Sequence, residues 1–247
     1  MKTFKADLHM HTVLSPCGSL EMSPMNIVKK ALEVKLDIIG ITDHNTTKQC
    51  AEVHKVGQRM GLMVFCGAEV STKEEVHCLT FFENFEKLEA FQTYLDKYLP
   101  MTPNNVEKFG HQVWVDEDEV IMGQEDRLLI NAIDQSIDEV IEKVRELNGL
   151  FIPAHIFRPS FSLYSQLGFM PIDITPDAIE ISANSDIEQQ IKVHPELAKF
   201  TVLRSSDAHY LQYIGSHYSV LEMKEANFDE VKMALHNRKG RSIINVV

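Results

Sequence analysis

His9 and His11 stand two residues apart in "ADLHMHTVLSPCG", the stretch from Ala6 to Gly18. Residues two apart on a strand point to one face, so the chain presents two imidazoles together. Four more histidines fall at or just past strand-like runs: His44 after "DIIGIT", His77 in "EVHCL", His155 closing "LFIPAH" and His209 closing "TVLRSSDAH". The same kind of run delivers Glu69 in "LMVFCGAEV" and Asp207 two residues before His209. Imidazole and carboxylate are ligands of zinc, manganese and iron. Six imidazoles packed together without a cation would bury many polar atoms without partners. The set therefore implies a metal cluster. The other five histidines (His54, His111, His194, His217 and His236) fall on helical patterns or their flanks, in a loop or in an irregular segment, and receive no metal role.

Segments this far apart in sequence meet only if the fold brings them together. Short apolar runs alternate with helical patterns, which argues for parallel strands with crossover helices. The strand candidates are Thr3–Met10, Asp37–Thr42, Leu62–Val70, Val76–Phe82, Leu150–Ile156, Ala178–Ser182, Thr201–Ser205 and Tyr218–Met223. Helix starts are marked by Ser23-Pro24, by the capping box Ser136–Glu139 and by Asn227–Glu230. In α/β barrels the C-terminal strand ends converge on one face, where active sites sit. One stretch, about 99–128, breaks the rhythm with prolines, acidic residues and the one tryptophan. It reads as an insertion on the rim, a hairpin or lid, or a plain surface excursion.

The 247 residues suit a single large α/β domain. No apolar run is long enough to cross a bilayer, so no membrane partner is expected. The N-terminus lacks the pattern of a signal peptide. The four cysteines form no CxxC pair, which suits a reducing cytoplasm. The formal charge of −12 argues against duplex nucleic acid as a partner. It leaves room for a small anionic substrate, since bound cations reverse the local field. Oligomeric state is not legible. The motifs GxSxG, GxGxxG, HExxH and the P-loop are absent, which removes the main rival chemistries.

The motifs "DLHMHT", "ITDHN", "GAEV", "VHCL", "PAH" and "SDAH" closely resemble those of the PHP (polymerase and histidinol phosphatase) family, in order and spacing. "HTVLSPCG" and "PAHIFRPSFSLYSQLGF" look like its small stand-alone branch. The resemblance implies a distorted TIM-like (β/α)7 barrel with two or three divalent transition metals, zinc, manganese or iron, and phosphoester hydrolysis. It implies a first metal on His9, His11, Glu69 and Asp207. Glu69 would bridge to a third metal held also by His77 and His155. A second would take His44 and His209. Its remaining ligand, a histidine or aspartate in relatives, falls here at Cys17 or Pro16. Proline cannot ligate; cysteine either does so as thiolate or is a small residue in a tight turn. Asp43, beside His44, is expected to orient an imidazole rather than to ligate.

Three divalent cations keep such a site positive after Glu69 and Asp207 are counted. That suits a phosphate and a bridging hydroxide. Glu69, Asp207 and His209 are the expected catalytic residues, with His209 or a water protonating the leaving group. Arg158 and Ser160, in "HIFRPSFS", are expected to grip phosphate oxygens. Lys73 is a weaker candidate, and Arg204 reads as structural. The expected reaction is metal-dependent hydrolysis of a small phosphomonoester or nucleotide. One alternative is 5′–3′ exonuclease action on short single strands, with Phe157, Phe161 and Tyr164 as stacking aromatics. Another is an idle metal-binding module.

Overall fold

The structure is a computed structural model and describes residues 1–182 and 185–247. Eleven strands occur among the described residues: β1 Lys2–Met10, β2 Ile38–Ile41, β3 Met63–Ser71, β4 His77–Phe82, β5 Val113–Val115, β6 Ile121–Gln124, β7 Leu150–Pro153, β8 Ile179–Glu180, β9 Val202–Leu203, β10 Ser219–Met223 and β11 Ser242–Val246. The helices are α1 Pro24–Glu33, α2 Cys50–Met60, α3 Phe85–Tyr98, α4 Val106–Phe109, α5 Ile137–Glu146, α6 Leu163–Leu167, α7 Ile187–Val193 and α8 Phe228–Leu235. Helix α5 shows how sequence sets an element. Ser136 and Glu139 close the capping box, and Ile137, Val140, Ile141 and Val144 form its buried stripe. Ser23 precedes α1, but its hydroxyl makes no cap bond; it donates instead to Glu119 at 2.7 Å.

Seven strands form one curled sheet in the order β11-β10-β1-β2-β3-β4-β7. The β1–β2 and β2–β3 pairs are parallel. The β1–β10, β10–β11, β3–β4 and β4–β7 pairs are antiparallel. The sheet is therefore mixed, not the parallel array expected from the sequence. For β3–β4 the physical reason is chain length: a parallel crossover needs a dozen or more residues, and only residues 72–76 join the two strands. A parallel pair, β8–β9, stands apart from the sheet. Ile156 N–H donates to Glu180 O at 2.9 Å, and His11 N–H to Ala208 O at 2.9 Å, tying the ends of this pair to the strands on either side.

Strand residues alternate between two apolar layers. Val64, Cys66, Ala68 and Val70 face one, with the stripes of α1, α2 and α5. Phe65, Leu79, Phe81, Leu150 and Ile152 face the other, inside the curl. Continuing that inner face along β3 passes Gly67 and reaches Glu69; along β4 it reaches His77. A Cβ at Gly67 would stand 1.7 Å from Thr80 O, so only glycine lets the two strands close just below the carboxylate. The inner face is thus apolar at one end and ligand-bearing at the other.

The segment between Leu99 and Leu128 contains α4 and the hairpin β5–β6. Val113 and Val115 pack against Val13, just beyond His11. Gln49 donates to Val115 O at 2.7 Å and accepts from Val115 N–H at 2.8 Å. The hairpin therefore braces the loop that leaves the histidine pair.

Candidate metal centre

Glu69 is buried and sits at the middle of the cluster. Its Oε1 lies 2.8 Å from His77 Nδ1, 3.1 Å from His155 Nε2 and 3.3 Å from His9 Nε2. Its Oε2 lies 3.0 Å from His44 Nδ1 and 3.4 Å from His11 Nε2. Asp207 Oδ1 reaches two of the same imidazoles, 3.3 Å from His9 Nε2 and 3.4 Å from His11 Nε2. The His11 and His209 rings stack with centroids 4.1 Å apart. All six expected histidines, Glu69 and Asp207 therefore meet. One detail differs from the sequence reading: His77 opens β4 rather than closing it. Because β4 runs antiparallel, its first residue lies at the edge where β3 ends.

Among the described residues, three groups have ligand atoms mutually within 4.8 Å: His9, His11 and Glu69; His44, Glu69 and His77; and His11, Cys17, His44 and His209. Cys17 thus stands beside the imidazoles, while Pro16 offers no donor. Five ring nitrogens in the cluster, His9 Nε2, His11 Nε2, His44 Nδ1, His77 Nε2 and His155 Nδ1, are buried without hydrogen-bond partners. Orphaned buried nitrogens are costly, and cations among them would remove the cost. The donor set fits divalent transition metals.

Hydrogen bonds fix how the rings are turned. Ser15 Oγ donates to Asp43 at 2.7 Å. Its one proton is committed there, so at His11 Nδ1, 2.9 Å away, it must accept. His11 therefore carries its proton on Nδ1 and turns Nε2 inward. Asp43 also accepts from Thr12 N–H and Oγ1, both at 2.7 Å. His9 Nδ1 donates to Glu180 Oε2 at 3.0 Å, and the same oxygen accepts from His155 N–H at 2.9 Å. His209 Nδ1 donates to Asp207 O at 2.8 Å. Asp7 accepts from Ser206 N–H and Gly215 N–H, both at 2.9 Å, and so holds the loop of Asp207. Sequence reasoning missed Glu180 and Asp7. The signal was a carboxylate inside an apolar strand, which is seldom buried unless paired.

The backbone is held in the left-handed region at Asn45, His155 and Asp207, with φ of 49°, 31° and 51°. Such residues cost of order 1–3 kcal/mol each and gather at functional sites. Here each lies at the point where a strand gives way to a site loop.

Electrostatics follow from burial and from the two carboxylates. Burial opposes charge on His9, but Glu180, Asp207 and Glu69 outweigh it and hold its pKa well above the usual range. Burial opposes charge on His11 too, but Asp207 and Glu69 lift its pKa to about 9. At His44 and His209 burial wins, giving about 3 and about 4. Burial also opposes charge on Glu69, yet His77, His9 and His44 pull it well below the carboxylate range. His9 and His11 do the same for Asp207. Burial, with Glu69, Asp207 and Asp43 nearby, pushes the Cys17 thiol up. The centre of the site therefore calls for positive charge, which protons on His9 and His11 supply when no cation does.

The remaining candidates lie farther out. Arg158 is exposed, with Nη1 donating to Asp207 Oδ2 at 3.3 Å. Beside it a pocket of about 320 Å³ opens, sharing His155, Glu180 and Asp207 with the cluster. Ser160 is exposed and is not part of that lining. Lys73 pairs with Asp134 at 2.8 Å on the surface. Arg204 donates to Ser185 O. Phe161 lies flat against His77, centroids 5.1 Å apart. Phe157 stacks on Tyr164 at 4.6 Å. His54, His194 and His236 lie outside the cluster, against Phe85, Tyr164 and Asp177.

The PHP domain profile matches residues 7–157, and a PHP-associated profile matches 199–239. The chain belongs to the PHP domain family. It is 26% identical to YqxK, an uncharacterized protein of Bacillus subtilis, over 99% of this chain and 65% of that one. Its fold is similar to that of the lesion-specific endonuclease PfuEndoQ from Pyrococcus furiosus, at 23% identity and a TM-score of 0.73. That match covers 99% of this chain and 58% of the endonuclease. An Endonuclease Q complex with a 27-mer duplex, an abasic lesion at its active site, matches at 22% identity and a TM-score of 0.69, over 99% of this chain and 59% of that one. The chain thus spans somewhat under two thirds of these proteins. The PHP fold is that of metal-dependent phosphoesterases.

These likenesses correct the expectation that an acidic chain does without duplex nucleic acid. A protein of the same fold holds a duplex at its active site. Net charge averages over a whole surface and says little about the field at a cation cluster. No helix among the described residues is long and apolar enough to cross a membrane.

Proposed function

We propose that this PHP chain is a metal-dependent phosphodiesterase that cleaves a nucleic-acid strand. The observation that carries the reading is Glu69, a buried carboxylate ringed by five imidazoles with unpartnered nitrogens and open towards Asp207 and Arg158. Bound divalent cations would lower the pKa of water to about neutrality and take up charge on phosphoryl oxygens. His9, His11, Glu69 and Asp207 would hold one cation; Glu69, His77 and His155 another; His44, His209 and Cys17 a third. Zinc, manganese and iron all suit the set. His209 donates through Nδ1 and is kept neutral by burial, so it serves as a ligand rather than as the acid. Arg158 faces the phosphate from the open side.

The fold likeness to PfuEndoQ over nearly the whole chain supports nucleic acid as the substrate class. So do the exposed aromatics Phe161, Tyr210 and Tyr213, on loops next to His77 and His209, where bases can stack. The sequence-based preference for a small phosphomonoester rested on net charge and on the lack of an obvious basic groove, and the duplex held by a protein of similar fold weakens the first of these grounds. The β8–β9 pair, hydrogen-bonded at both sides, supports a distorted barrel of β1, β2, β3, β4, β7, β8 and β9. The test is cleavage of end-labelled single-stranded, duplex and abasic-site oligonucleotides by manganese- or zinc-loaded protein. Cleavage lost on chelation and in Glu69→Gln is expected. Oligonucleotides left intact under every metal would overturn the reading.

A further inference from the structure

The pocket beside Asp207 is not explained by metal binding. It measures about 320 Å³, at the lower end of the range for small-ligand sites. One end is shared with the cluster through His155, Glu180 and Asp207. The rest of the lining includes Ser182, Ser205 and Ser206, with Phe157 and Arg158. Ser182 Oγ is buried and has no hydrogen-bond partner among the described residues. Ser205 is buried and lines the same pocket. Ser206 Oγ is shared between His9 O, at 3.4 Å, and the Asp7 carboxylate. The carboxylate of Glu180 is already committed to His9 and His155. What the pocket offers an occupant is therefore hydroxyls, one aromatic surface and one guanidinium that faces the Asp207 carboxylate.

We infer that this pocket receives the sugar of a sugar–phosphate unit whose phosphate lies at the metal centre. Hydroxyls can donate to and accept from sugar oxygens alike. The C–H face of a pentose lies against Phe157, and Arg158 reaches the phosphate from the pocket mouth. Adjacency fixes the order: the phosphate occupies the side of Asp207, the sugar the side of Ser205. The inference rests on the phosphoesterase reading only for the place of the phosphate, and it names the part of the strand that the site grips.

Calorimetric titration of the metal-loaded protein with ribose 5-phosphate and with inorganic phosphate tests it. Ribose 5-phosphate should bind at least about tenfold tighter, the scale of one or two added hydrogen bonds. In the Ser182→Ala/Ser205→Ala double variant that advantage should vanish while inorganic phosphate binds as before. Phe157→Leu should remove part of it. Equal affinity for the two probes in the wild-type protein would overturn the inference, as would an advantage that survives the double substitution. A parallel loss of phosphate binding would overturn it too, making the serines structural. Oligonucleotide cleavage, assayed separately, decides the phosphodiesterase reading independently of this result.

Discussion

His11 Nδ1 lies 2.9 Å from Ser15 Oγ, and that hydroxyl already donates its one hydrogen bond to Asp43. The pair works as a relay in which the carboxylate, two contacts away, decides which nitrogen of His11 is free. Ser15→Ala removes the relay without touching any ligand atom. Metal affinity should fall by about 10- to 100-fold, the usual cost of losing a partner behind a ligating histidine. Competition against a fluorescent chelator measures this, and unchanged affinity would show that packing alone orients the ring.

Cys17 stands among His11, His44 and His209. Its half-buried thiol stays protonated unless a cation draws the proton off. Cobalt-substituted protein should therefore show a thiolate-to-metal charge-transfer band in the near ultraviolet. The band should be absent in Cys17→Ser, with metal content reduced by at most one ion per chain. Identical spectra for the two proteins would place Cys17 outside the coordination sphere.

Arg158 touches Asp207 but no imidazole of the cluster. Its loss should leave metal content intact and lower kcat/KM by about 100- to 1,000-fold, the scale for losing one preorganised donor. Lysine should restore only part, since it keeps the charge and loses the planar fork. Steady-state kinetics with elemental analysis separates this role from a structural one, in which metal and activity would fall together.

Glu125 anchors the inserted segment. Burial opposes its charge, but Arg127 at 2.8 Å and Lys48 at 2.8 Å outweigh it and bring its pKa down to about 2. A carboxylate depressed in the folded state binds fewer protons there than in the unfolded chain. Its stabilisation is present above the ordinary glutamate pKa and is lost as pH falls from about 4.5 towards 2. Glu125→Gln should flatten that part of the acid-unfolding curve. An unchanged slope in urea melts across the window would assign it to other groups.

Much of this site was legible because ligand chemistry forces residue identity. His9, His11, His44, Glu69, His155 and Asp207 sit where apolar strand patterns end, and the patterns of β1, β3 and β10 were read to within a residue or two. Strand direction was harder. The reversal of β4 depends on the shortness of residues 72–76, a signal present in the sequence but masked by the βα rhythm around it. The strand β11 was missed because "SIINVV" is short and half-exposed. Glu180 was missed because the two groups it serves, His9 Nδ1 and His155 N–H, come from elements that meet only in the folded chain.

The reversed β4 also bears on the order in which the site can form. Glu69 and His77 are eight positions apart and joined by a tight turn, whereas His9 and Glu180 are 171 apart. Hairpins form in about 1–10 μs, and closing longer loops costs progressively more entropy. A carboxylate–imidazole half-site can therefore exist before the chain has brought its distant segments together. A cation caught there would act as a template on which the later strands dock, so metal supply would govern how fast this protein folds as well as what it does once folded.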